Sequence, residues 1–84
     1  MSGEIQFRGK TLTLSEVTIK GEREGVAVLT GDLEVIQNVT HLLVTVELTR
    51  IIEDHLRDTG YEITSYRVPD MSEAKAIVRL YKRM

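Results

Sequence analysis

The chain opens with polar and apolar residues in alternation. In Glu4–Arg8 (EIQFR), Ile5 and Phe7 share one face, the period-2 pattern of a half-buried strand. Gly9-Lys10 then offers a two-residue turn with glycine first. Across Thr11–Lys20, Leu12 and Leu14 hold one parity and Val17 and Ile19 the other. A one-residue change of phase in such a pattern predicts a β-bulge near Ser15-Glu16. Gly21–Gly25 reads as a five-residue hairpin loop with glycine at each end, and Val26–Thr30 as a short apolar strand. Gly31-Asp32 reads as another turn, and Leu33–Gln37 as a returning fourth strand.

The period then changes. From Leu48 the apolar positions fall at 48, 51, 52, 55/56 and 59, which is helical spacing, and Gly60 supplies a left-handed stop. Arg50–Asp54 and Glu53–Arg57 are i,i+4 pairs suited to its outer face. Asn38 or Thr40 can cap this helix, although the β-branched run over residues 41–47 also fits a strand. Tyr61–Val68 reads as a strand ended by Pro69. Asp70 stands three residues before Glu73 in the manner of a capping box, and Ala74, Ile77, Val78 and Tyr81 form a helical stripe. This predicts a second helix, with a strand over Ala76–Lys82 as the alternative.

The expected order is β-β-β-β-α-β-α. It describes a two-layer α+β domain spanning residues 1–84, with a mostly antiparallel sheet of about five strands and two helices on one face. If Leu33–Gln37 and Tyr61–Val68 lie side by side, the helix between them makes a right-handed crossover.

Composition narrows the class. Ile, Leu and Val account for 25 of the 84 residues, so the core is aliphatic and disorder is excluded. With no cysteine, disulfide scaffolds and thiolate zinc sites are excluded, and a reducing cytoplasm is the expected compartment. The N-terminal residues lack a basic-then-apolar leader pattern, and no apolar run approaches the roughly 20 residues of a membrane span. Asn and Gln number three together against 29% charged residues, a composition that leans towards a thermophilic source.

Charge is unevenly placed around a net −2. Residues 22–62 carry nine acids against three bases, whereas residues 63–84 carry five bases against two acids. Within the first block, Glu22, Glu24, Asp32 and Glu34 form two pairs. A strand of five residues would hold these about 17 Å apart, too far to share a cation whose ligands lie about 2.3–2.6 Å away. A more plausible cation set is Asp54, Asp58 and Glu62, near the negative end of the predicted helix, where Ca²⁺ would offset the dipole. The competing explanation is neutralisation by Arg50, Arg57 and the basic C-terminal segment. In that segment Lys75, Arg79 and Lys82, with Arg83, would line one face of a helix and suit a run of nucleic-acid phosphates, or simply be a solvated face.

His41 and His55 lie about 21 Å apart if they share one helix, and His55 on the apolar stripe reads as a packed side chain. No nucleophile elbow, Walker loop or dinucleotide fingerprint occurs. The chain therefore reads as a small binding or interaction domain without enzymatic activity, for a protein or small-ligand partner and not a membrane. Divalent-cation binding and nucleic-acid binding stand as the alternatives.

Overall fold

The computed structural model describes residues 3–83. Strands β1 (Gly3–Phe7), β2 (Lys10–Leu14), β3 (Thr18–Lys20) and β4 (Glu24–Thr30) come first. Helices α1 (Leu33–Gln37) and α2 (Leu42–His55) follow, and β5 (Tyr61–Arg67) and β6 (Lys75–Lys82) complete the chain. The sheet is antiparallel, ordered β1-β2-β4-β6-β5, with β3 also paired to β4. α2 packs on the two outer strands, β1 and β5, and α1 on β6. This is the expected two-layer α+β architecture, reached by the order β-β-β-β-α-α-β-β.

The layers meet through alternate strand residues. Ile5 and Phe7, Leu12 and Leu14, Ala27 and Leu29, and Ala76, Val78 and Leu80 are buried against Ile36, Val44, Leu48, Ile52 and Leu56. Each fully buried Leu or Ile stabilises the fold by roughly 1.5–3 kcal/mol before chain entropy is counted. Among the described residues no polar or charged residue is buried. Among the described residues no helix is long and apolar enough to cross a membrane.

The bulge falls where the pattern changes phase. Leu14 pairs with Leu29 and Thr18 with Val26, so four steps along β2–β3 match three along β4. Ser15 holds the junction. Its N–H donates to the Val28 carbonyl at 2.9 Å, and its Oγ accepts from the Val28 N–H at 2.8 Å. The extra residue turns Val17 inward, where it packs on the core across Gly25. A Cβ at Gly25 would lie 2.6 Å from Val17 Cγ1, so that position has no room for a side chain. Gly25 thus belongs to β4 and not to the loop, which shortens to Gly21–Arg23.

Several expectations are corrected. The first turn is Arg8-Gly9, not Gly9-Lys10; both residues have positive φ, 50° and 79°, as a tight type I′ hairpin requires. Leu33–Gln37 is a helical turn and not a strand, and no crossover to β5 exists. Asp32 is its N-cap, Oδ1 accepting from the Val35 N–H at 3.1 Å, and Ile36 is buried. A five-residue apolar–polar segment satisfies both periods, and the cap decides it. Gly31, at φ 145°, allows the chain to leave β4 against β2. A Cβ there would stand 2.7 Å from Leu12 Cδ2 and 2.9 Å from the Thr11 carbonyl oxygen.

The second predicted helix is strand β6. It pairs with β4 on one side and β5 on the other, so its backbone hydrogen-bonding groups are satisfied by two neighbours. The capping-box residues make an Asx turn instead. Asp70 Oδ1 accepts from the Ser72 N–H at 2.9 Å and from Ser72 Oγ at 2.7 Å, and Glu73 N–H donates to the Asp70 carbonyl at 3.1 Å. For α2, burial of Val44, Leu48 and Ile52 at four-residue intervals settles the 41–47 ambiguity as helix from Leu42. Gly60, at φ 79°, ends the short 3₁₀ turn Arg57–Thr59 that follows α2, as the left-handed stop predicts.

Candidate functional site

Side chains alternate along strands, so the sheet face turned away from the helices is as well determined as the covered one. On β6, Ala76, Val78 and Leu80 enter the core, and Lys75, Ile77, Arg79 and Tyr81 stand on the open side. Antiparallel partners project to the same side. The register therefore adds Arg67 and Val28 beside Ile77, and Ser65 and Val26 beside Arg79. Val26, Val28 and Ile77 form a half-buried aliphatic strip, and Arg67, Lys75 and Arg79 are exposed cations around it.

These three cations are electrostatically unmatched. Among the described residues the ion pairs are Arg8–Glu47, Lys10–Asp32, Arg57–Asp54 and Arg83–Glu62, and none involves Arg67, Lys75 or Arg79. At one end the strip runs into a shallow trough of about 390 Å³ lined by Lys20, Glu24, Val26, Ser65, Arg79 and Tyr81. Tyr81 is flanked in register by Glu24 and Glu62. The Glu62 carboxylate is neutralised by Arg83 at 3.1 Å.

The four cations picked out by helical spacing do not form one face. A strand selects every second residue, so Lys75 and Arg79 stay together and Lys82 takes the other parity, opposite Tyr61. The Lys82 ammonium lies 5.9 Å from the Tyr61 ring centroid. Arg83 is engaged by Glu62. Arg67, from the neighbouring strand, takes the vacated place; only the β5–β6 register identifies it. Of the acidic segment, only Glu24 and Glu62 reach this face, beside Tyr81. α2 lies on the opposite side of the sheet, so Asp54 and Asp58 do not neutralise Lys75 or Arg79.

The expected cation ligands stand on three successive elements, α2, the 3₁₀ turn and β5. Asp54, on the last turn of α2, is exposed with Arg57 at 3.9 Å. Asp58 is exposed in the 3₁₀ turn, and Glu62 points to the open face of the sheet. Among the described residues no group of three or more His, Asp or Glu is arranged to hold a metal ion. His41 and His55 mark the two ends of α2, both exposed. His55 is not a buried core side chain. Its ring lies over Gly3, where a Cβ would approach it to 2.7 Å.

Three further groups are held in place. Glu53 accepts from the Ile63 N–H at 2.9 Å, so a helix carboxylate occupies part of the outer edge of β5. Tyr66 OH lies 2.8 Å from Thr49 Oγ1. Burial pushes this phenol up to about 12, the Thr49 hydrogen bond opposing and the Glu53 charge adding to the rise. The Val35 N–H, with Lys10 beside it, holds the Asp32 carboxyl below its ordinary value despite some desolvation. A separate apolar exposure occurs at the start of α2, where Leu42, Leu43 and Val46 are 72%, 69% and 54% exposed. The comparisons with protein-family models, curated proteins and solved structures return no match to this chain.

Proposed function

We propose that this chain is a non-enzymatic binding domain that takes an anionic partner on the open face of its sheet. The observation that carries the reading is the trio Arg67, Lys75 and Arg79, exposed on one face with no carboxylate partner among the described residues. Like charges placed together raise the local potential and are relieved by an incoming anion. The surrounding groups are hydroxyls and branched aliphatics, with Glu24 and the Arg83-paired Glu62 at the Tyr81 end, a set suited to holding a ligand. The net charge of −2 does not oppose this reading, because the carboxylates of α2 lie beyond the sheet.

Titration with a heparin oligosaccharide, followed by amide shifts at about 50 mM salt, tests it. Saturable shifts should cluster at residues 65–67 and 75–81 and weaken as salt shortens the screening length. If no polyanion binds, or the shifts fall on residues 42–58 instead, the reading is wrong.

A further inference from the structure

We infer that the anionic partner is a single-stranded nucleic acid, laid along β6 with its phosphates on Arg67, Lys75 and Arg79 and its base faces on the Val26–Val28–Ile77 strip. This rests on the anionic reading above and adds the ligand class. Cations alone would suit any polyanion. The aliphatic strip beside them is the distinguishing feature: it suits a ligand that brings apolar surface alongside its charges. Unpaired bases offer such surfaces, whereas a duplex turns its base faces inward and presents phosphate and sugar. An acidic peptide carries charge without flat apolar groups at every unit.

The geometry accommodates a short run. Lys75 and Arg79 are four residues apart on β6, about 13 Å, and Arg67 stands between them beside Ile77. Tyr81 continues the line into the trough, its side 39% exposed, where a further base can stack on the ring. Lys20 closes the far rim of that trough. Glu24, on the near wall, opposes the ligand. It gives the arrangement a test that an attractive contact alone would not.

Fluorescence anisotropy of the full chain with a labelled mixed-sequence 8-mer, in RNA and DNA forms, reads the outcome. Three phosphate contacts on a single strand give a log–log salt slope near −2, so affinity should fall about 20-fold between 50 and 200 mM salt. Arg79→Gln should flatten that slope by about 0.7, and Arg79→Lys should restore it. Tyr81→Ala should weaken binding about tenfold and Tyr81→Phe should not. Glu24→Gln should strengthen it. Urea midpoints within error of the parent show that each variant is folded. Preference for the single strand over the matching duplex, with these variant effects, supports the proposal. Equal affinity for heparin, poly-glutamate or anionic vesicles overturns it and leaves a general anionic surface. Failure of every polyanion to bind overturns the anionic reading as well.

Discussion

The two faces of this sheet are written by the same strands and have opposite chemistry. On β4, Ala27 and Leu29 are fully buried against the helices, while Val26, Val28 and Thr30 between them are only half-covered. On β6, Ala76, Val78 and Leu80 alternate with Lys75, Ile77 and Arg79 in the same way. One face excludes polar groups and carries the stability. The other tolerates unmatched charge because solvent screens it, and so is free to be specified by a ligand. A one-residue slip would exchange them, and the bulge at Ser15 preserves the assignment across the break between β2 and β3.

Neighbouring residues give the largest contrast. Leu29→Ala opens a cavity in the covered layer and should cost about 3 kcal/mol in urea unfolding. Val28→Ala, one residue away on the open face, should cost less than about 1 kcal/mol. Equal losses would mean that the open face is covered in solution.

A smaller effect distinguishes the faces by pH. Tyr66 lies on the covered side with its phenol raised from 10.0 to about 12. Its folded value exceeds its unfolded value, so its contribution is complete below pH 10 and is lost as pH rises towards 12. Tyr66→Phe forfeits the hydrogen bond to Thr49, about 1 kcal/mol, at pH 8. The gap between parent and variant should narrow between pH 10 and 12. A gap constant over that range would show that the ring is not desolvated.

The smallest effect belongs to the cations. Arg67→Gln, Lys75→Gln and Arg79→Gln should each change stability by no more than about 0.5 kcal/mol, since none makes an ion pair among the described residues. Removing all three should relieve mutual repulsion and leave the fold intact while abolishing polyanion binding. A marked loss of stability in the triple variant would place these side chains in the scaffold.

Much of the scaffold can be read from local pattern. Ile5/Phe7 and Leu12/Leu14 alternate clearly enough to define the first hairpin, and the phase change at Val17 marks the bulge. Leu48, Ile52 and Leu56 repeat at helical spacing and are the buried stripe of α2. His55, assigned to the same stripe, stands one heptad beyond Leu48 on the same side of the helix, but it is the last residue of α2 and its ring lies exposed over Gly3. Residues 33–37 and 75–82 are short, and their apolar positions satisfy both periods. Their outcome depends on partners distant in sequence. Asp32 caps one into a helix, and the gap between β4 and β5 draws the other into the sheet.

The amino-acid sequence by itself determined the α+β class, the aliphatic core, the two parities of the first hairpin and the helical seam of α2, because burial follows from local periodicity. Tertiary structure decided which cations share the open face. Whether Lys75 joins Lys82 or Arg67 depends on whether the backbone repeats every 3.6 residues or every two, and on which strand lies alongside. Strand pairing settles both at once, since the backbone hydrogen-bonding groups of β6 are satisfied only between β4 and β5.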